Sequence, residues 1–228
     1  MPPEPGPHDA WIGDLVGAGV WTASCAVTED ESDLHPDERA LVARAVDKRR
    51  REFAAGRRCA RALLAELGHP GLPLLRNDDR TPRWPTGVVG SISHSHALCV
   101  VAVARRATHE SLGVDVEPDA GLEPRIWKKI CTPGELEQLL GTAPAAERGR
   151  VARLVFSAKE ATYKSVYPLL GKVFGFQDVE LRIDFAQGRF TPRLHAAIAA
   201  QLPAGFAPAG RFAQRGGFVF AAVTVPAA

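Results

Sequence analysis

The stretch Leu112-Gly113-Val114-Asp115-Val116-Glu117-Pro118 is the most informative in the chain. Its alternation is that of a β-strand, whose successive side chains point to opposite faces. Leu112, Val114 and Val116 therefore share one face, and Asp115 and Glu117 share the other. Two carboxylates aimed the same way from one strand end repel each other. A divalent cation relieves that repulsion, and hard oxygen donors favour Mg²⁺ or Mn²⁺. A solvent-facing strand edge would carry the same pattern, so the carboxylate pair needs support from elsewhere.

Upstream, Val88-Val89-Gly90-Ser91-Ile92-Ser93 and Ala97-Leu98-Cys99-Val100-Val101-Ala102-Val103 read as two buried strands. They join at His94-Ser95-His96 as a hairpin, and 112–117 is a third strand. Residues 69–85 are rich in Pro, Gly, Asn and Asp and read as turns, with Arg76, Arg80 and Arg83 among them. Downstream, helices are expected over 124–130, from a Thr132-Pro133-Gly134-Glu135 cap through Leu140, and over 150–167, with Pro168 as the stop. Val179, Leu181 and Ile183 alternate with charged residues in a half-buried strand, and 218–225 is a last one. The expected class is mixed α/β.

Between Arg39 and Arg61 there are nine basic residues and two acids, a local +7 in a chain whose net charge is +2. Leu41, Val42, Val46, Phe53, Ala60, Leu64 and Leu67 recur there at helical spacing, which predicts one long helix over 37–67 ending at Gly68 and Pro70. On that helix Arg49 and Arg57 stand about 80° apart around the axis and can converge on one anion. A solvated basic face is the plainer reading. In 156–164, Glu160 and Lys164 are one turn apart opposite the apolar stripe of their helix. That places either a surface ion pair or a metal ligand or base beside a cation. Gly90-Ser91-Ile92-Ser93-His94-Ser95 ends a strand in hydroxyls and an imidazole, groups suited to a phosphate. The chain has no nucleotide P-loop, no GxGxxG after a strand and no GxSxG elbow.

The whole chain has 228 residues, 28 Lys plus Arg, 26 Asp plus Glu and a pI near 8.4, which argues against a nucleic-acid coat or a highly basic tail. With 46% hydrophobic and 24% charged residues it can bury one large core or two small ones. No apolar run reaches the roughly 18 residues that span a bilayer. Met1-Pro2-Pro3-Glu4-Pro5 lacks the basic start and apolar segment of a secretory signal. The expected setting is cytoplasmic, without membrane. Cys25, Cys59, Cys99 and Cys131 lie far apart in sequence, with no CxxC pair, and are expected as reduced, mostly buried thiols.

Four segments taken in order, 48–61, Trp84-Pro85-Thr86-Gly87-Val88-Val89-Gly90-Ser91-Ile92-Ser93-His94, Gly113-Val114-Asp115-Val116-Glu117-Pro118 and Phe156-Ser157-Ala158-Lys159-Glu160-Ala161-Thr162-Tyr163-Lys164, resemble the 4′-phosphopantetheinyl transferases. The nearer branch resembles the enterobactin-synthase-component type, related to the surfactin type. The resemblance implies two pseudo-twofold-related α/β halves, here 1–118 and 119–228, with the site between them. It implies transfer of the phosphopantetheine arm of coenzyme A to a serine of an apo acyl or peptidyl carrier protein, with release of adenosine 3′,5′-bisphosphate. It assigns Mg²⁺ to Asp115, Glu117 and Glu160, the base to Glu160, and charge neutralisation to Lys164. Arg49 and Arg57 fall on the 3′-phosphate, His94 on the pyrophosphate, and Arg76 and Lys159 on phosphate, with Ser93 beside His94 as a further coenzyme A contact. The carrier would dock near 132–140 and 169–176, and a monomer is expected. Two rivals share some of these features. A Mg²⁺-dependent nuclease or phosphodiesterase would use the same carboxylates, but the usual carboxylate-x-Lys triplet is missing after Asp115. A nucleic-acid-binding module would use the 49–61 helix, where only Phe53 is aromatic.

Overall fold

The apolar run of strand β3 (Leu98–Arg105) is buried at every position except Arg105; β3 is the central strand of a three-stranded sheet, and its Cys99, Val101 and Val103 side chains lie in a packed core. This is seen in a computed structural model that describes residues 9–95, 97–203, 206 and 208–227. The segment Met1-Pro2-Pro3-Glu4-Pro5 and His96 of the expected hairpin turn lie outside the described residues. β1 (Val20–Ala26) runs antiparallel to β3, with Val20 opposite Ala104 and Cys25 opposite Cys99. β2 (Val88–His94) pairs on the other side, with Val88 opposite Arg105 and His94 opposite Cys99, so the expected hairpin forms. Helix α1 (Asp9–Val16) precedes this sheet.

Helix α3 (Asp47–Glu66) lies on the three strands through Ala55, Cys59, Ala60, Leu63 and Leu64, which pack with Val88, Cys99, Val101 and Val103. Small residues on this face let the backbones approach. A Cβ at Gly56 would sit 3.1 Å from Ile92 Cγ2. The single helix expected over 37–67 is instead two: α2 (Pro36–Val42) and α3, separated at 43–46, with Val46 extended at φ −65° and ψ 154°. No proline or glycine marks the break. Packing accounts for it: Glu38 forms an ion pair with Arg61, and Leu34 and Val42 pack on Phe53 and Ala54. In one continuous helix residues 38 and 61 would stand about 34 Å apart.

The chain divides into two compact units, Met1–Glu110 and Ser111–Pro226. This places the boundary earlier than Pro118. Strand β4 (His109–Pro118) explains the shift, because it is the edge strand of the second sheet, ordered β4-β8-β7-β6-β5. The other strands of that sheet are β5 (Val179–Asp184), β6 (Arg189–Leu194), β7 (Ala209–Arg215) and β8 (Phe218–Pro226). Pro192 is tolerated in β6 because pairing with β7 stops at Phe190, leaving one side of the strand without a ladder there.

Helix α6 (Arg148–Leu170) lies across this sheet, and Leu154, Val155, Ala158 and Ala161 pack with Val219, Ala221 and Val223. Pro168 does not stop it. The ring removes one N–H close to the end, the helix continues to Leu170, and Gly171 closes it in the left-handed region at φ 66°, its N–H donating to Tyr167 O. Between β4 and α6 come α4 (Pro124–Ile130) and α5 (Pro133–Glu135), the latter continuing as a π-helical turn over Leu136–Leu140. Thr132 caps α5 in a reciprocal pair with Glu135. A short α7 (Ala196–Ala199) follows β6. Among the described residues no helix is long and apolar enough to cross a membrane.

Candidate active site

Everything in the second unit's site follows from how closely α6 lies on β4. A Cβ at Gly113 would fall 2.0 Å from Ala161 O and 2.7 Å from Ser165 N, so only glycine allows the helix backbone to rest there. One strand pair earlier, Ser111 Oγ donates to Ser165 O at 2.6 Å. One strand pair later, Lys164 Nζ donates to Asp115 Oδ1 at 2.8 Å and to Val114 O at 3.1 Å. Beyond that, Arg153 Nη1 meets Glu117 Oε2 at 2.7 Å, and its Nε donates to Ala120 O at 3.0 Å. Strand and helix keep pace over this distance. From Ser111 to Glu117 the strand rises about 20 Å, and from Arg153 to Ser165 the helix rises about 18 Å.

The odd-numbered face of β4 therefore looks at the helix face that carries Arg153, Glu160 and Lys164. Asp115 is 5% exposed, and Glu117 and Glu160 are half-buried. Burial pushes the Glu117 carboxyl up to about 6; the Asp115 charge adds to this, while Arg153 and Lys164 oppose it. Glu160 is also raised by burial, with Lys164 opposing and the Asp115 charge adding. The charge of Asp115 thus reaches both glutamates. Lys164 is ion-paired to Asp115, the residue its turn of helix places opposite, so the pair at 160 and 164 is not a solvent-facing surface pair. Sequence reading missed Arg153. Its signal was position, seven and eleven residues before Glu160 and Lys164, a spacing that keeps all three on one helix face.

Three carboxylates against two cations leave a negative excess in a poorly solvated place. A donor set made only of carboxylate oxygen suits a hard divalent cation such as Mg²⁺ or Mn²⁺. Among the described residues no group of three or more His, Cys, Asp or Glu is arranged to hold a metal ion. In this structure Asp115 and Glu117 are instead met by Lys164 and Arg153. Beside Glu160 opens a cavity of about 220 Å³, lined by Tyr163, Val173, Phe174, Phe176 and Val179. Tyr163 packs on Phe174 with ring centroids 4.9 Å apart, and Val173 is 80% exposed.

Lys159 differs from the phosphate contact expected of it. It is 1% exposed, and its three protons go to Glu135 Oε2 at 2.7 Å and to Ile130 O and Phe176 O at 2.8 Å. Glu135 also accepts from the backbone N–H groups of Thr132 and Leu181. This buried pair ties α6 to the segments at 130–135, 176 and 181, a structural duty that the spacing of the motif does not reveal.

In the first unit, Arg49 Nη1 donates to His94 Nε2 at 2.8 Å, and His94 Nδ1 stands 3.4 Å from Glu52 Oε2. Nε2 is thus the acceptor and Nδ1 carries the proton. Glu52, 8% exposed and 3.9 Å from both Lys48 and Arg49, is a second residue that sequence reading missed. Arg57 is 5% exposed, with Nε donating to Leu74 O at 2.6 Å and the guanidinium 4.0 Å over the Phe53 ring. Burial lowers its pKa to about 10; Glu38 opposes this shift and Arg49 adds to it, so the two arginines do sense each other. Ser93, the residue before His94 on β2, is buried. Arg76 is exposed on the turn where it bridges to Pro82.

Comparison with known proteins agrees with both units. Residues 37–104 match the family model of the 4′-phosphopantetheinyl transferase N-terminal domain, and residues 111–205 match that of the 4′-phosphopantetheinyl transferase superfamily. The chain is 43% identical to 4′-phosphopantetheinyl transferase Svp of Streptomyces mobaraensis, over 85% of this chain and 79% of that one. It is 39% identical to 4′-phosphopantetheinyl transferase PptT of Mycobacterium tuberculosis, over 70% and 71%. To enterobactin synthase component D of Escherichia coli O157:H7 it is 36% identical, over 52% and 55%. With the Streptomyces relative matched at 43% identity over 79% of its length, this chain belongs to the 4′-phosphopantetheinyl transferase family and is a transferase enzyme of that class.

Proposed function

We propose that this transferase moves the 4′-phosphopantetheine arm of coenzyme A onto a serine hydroxyl of an apo acyl or peptidyl carrier protein, in a Mg²⁺-dependent reaction that releases adenosine 3′,5′-bisphosphate. The observation that carries the reading is the β4–α6 face, where Gly113 lets the helix down and Asp115, Glu117, Glu160 and Lys164 interact. Asp115, Glu117 and Glu160 would hold the Mg²⁺ ion, whose charge would neutralise pyrophosphate oxygens.

Glu160 takes the proton of the attacking serine. The serine oxygen bonds to phosphorus as the bond to the bisphosphate breaks, and Lys164 stabilises the charge that grows on the leaving phosphate. In the first unit the assignments are Arg49 and Arg57 to the 3′-phosphate, His94 to the pyrophosphate, Ser93 beside it to coenzyme A, and Arg76 to phosphate. Arg57 is anchored through Nε and stacked on Phe53, which pre-orients the rest of its planar fork for an anion. The apolar cavity at Tyr163, Val173, Phe174 and Phe176 suits the uncharged part of a ligand or an apolar side of the carrier.

The test is intact-mass spectrometry of apo carrier proteins incubated with this protein, coenzyme A and Mg²⁺. The expected result is a gain of one phosphopantetheine that disappears without Mg²⁺ or with a serine-to-alanine carrier. No gain on carriers drawn from peptide, polyketide and fatty-acid pathways would refute it.

A further inference from the structure

Three of the four cysteines, far apart in sequence, meet at one point of the first unit. Cys25 on β1 stands opposite Cys99 on β3 in the strand register. Cys59, on the face of α3 that lies over these strands, brings its Sγ to 2.9 Å from Cys25 Sγ. That is closer than unbonded sulfurs ordinarily pack and only about 0.9 Å longer than a disulfide bond.

The three thiols are not equivalent. Cys59 and Cys99 are buried, at 3% and 0% exposure, whereas Cys25 is partly open to solvent. Arg58 Nη2 lies 3.7 Å from Cys25 Sγ and 3.3 Å from Ala26 O, and its Nη1 is 3.6 Å from Asp33 Oδ2. The thiol hydrogen bond from Cys59, with Cys99 and the Arg58 charge close by, holds the Cys25 thiol well below the ordinary thiol range against the opposing effect of burial, while Cys59 and Cys99 are pushed up. A partly exposed sulfur beside a cation, in contact with a protonated thiol, has the character of an attacking and a resolving cysteine.

We propose that Cys25 and Cys59 are a peroxide-reactive pair that closes into a disulfide joining β1 to α3. The Cys25 thiolate attacks one oxygen of hydrogen peroxide, the O–O bond breaks, and hydroxide leaves to become water. Cys25, oxidised by two electrons, is then a sulfenic acid. Cys59 gives up its proton and attacks the Cys25 sulfur; the S–O bond breaks, a second water leaves and the S–S bond forms. Two thiols and one peroxide become one disulfide and two waters. This inference does not depend on the transferase reading, although Cys59 lies on the same helix as Arg49 and Arg57 and Cys99 stands opposite His94.

The experiment exposes the folded full-length protein to hydrogen peroxide, blocks the remaining thiols with N-ethylmaleimide and maps the products by mass spectrometry after peptic digestion. The expected result is an intact-mass loss of two hydrogens, reversed by dithiothreitol, with one linked pair of peptides that contain Cys25 and Cys59. In Cys59→Ser the reaction should stop at a Cys25 sulfenic acid that dimedone captures, and Cys99→Ser should still form the disulfide. Circular dichroism verifies that each variant is folded, and Cys59→Ala serves if the serine variant is not. Unchanged mass under peroxide, a link from Cys25 to Cys99, or cross-linking that persists without Cys59 would overturn the proposal.

Discussion

Replacing Gly113 with alanine adds a single methyl group where α6 touches β4. The new Cβ would lie 2.0 Å from Ala161 O, whereas ordinary contact begins at 3.4 Å, so helix and strand must separate by up to about 1.4 Å. Both colliding atoms belong to backbone, so no side-chain rotation relieves the clash. Overpacking of this kind costs about 1–3 kcal/mol or more. The same displacement moves Glu160 and Lys164 away from Asp115, and a shift of about 1 Å at reacting groups costs on the order of 100-fold in rate. Urea unfolding of Gly113→Ala should show a midpoint lowered by the equivalent of about 3 kcal/mol. Carrier-loading kinetics followed by intact mass should show transfer down on the order of 100-fold. Gly13→Ala is the internal control. Its Cβ would have Thr22 Oγ1 as its one neighbour, at 3.9 Å, an ordinary contact, so transfer should stay near wild type and the midpoint should not fall. A Gly113→Ala protein with wild-type midpoint and turnover would refute the close strand–helix contact on which the site is built.

Lys159→Met leaves Glu135 charged and buried, with an expected loss of about 3–5 kcal/mol in urea unfolding that Lys159→Met/Glu135→Gln partly restores. Glu117, with a folded pKa near 6 against 4.5, binds its proton more tightly in the folded state, so stability should fall by about 2 kcal/mol as pH rises through this window and level off above it. Glu117→Gln should flatten that slope, and an unchanged slope in denaturant melts from pH 4 to pH 7 would count against it. Arg57→Met keeps much of the apolar stem but leaves Leu74 O without its donor, for about 1–3 kcal/mol of stability. Its KM for coenzyme A should rise about tenfold or more, as expected for a charge-assisted contact, and an unchanged KM would remove Arg57 from phosphate binding.

Much of this arrangement is legible in the sequence because it rests on local patterns. The Asp115 and Glu117 pair follows from strand alternation, the hairpin at 88–105 from two apolar runs, and α6 from a strong apolar stripe. The parts that escaped reading are set by distant contacts. The break at 43–46 has no local marker and follows from Glu38 reaching Arg61. Strands β1 and β7 lack clean alternation; β6 alternates, but its Pro192 reads against a strand and is acceptable only because its pairing with β7 ends at Phe190. Lys159 sits inside a motif whose neighbours face β4, yet its side chain turns into the core toward Glu135. Arg153 and Glu52 were hidden for a related reason: a charged residue on a helix reads as surface until its partner across the fold is known. The three-thiol cluster was invisible because 25, 59 and 99 become neighbours only through sheet register and helix packing.

The central claim is that the carboxylates brought together by β4 and α6 perform the transfer, with Glu160 as the base. The most direct measurement is the rate of phosphopantetheine loading by Glu160→Gln, a nearly isosteric change, at saturating coenzyme A and Mg²⁺, alongside its circular dichroism and melting curve. A folded variant whose transfer rate falls by roughly 10²–10⁴-fold, the range of a lost general base, is the predicted outcome. A folded variant that loads its carrier within a few-fold of the wild-type rate would contradict the assignment.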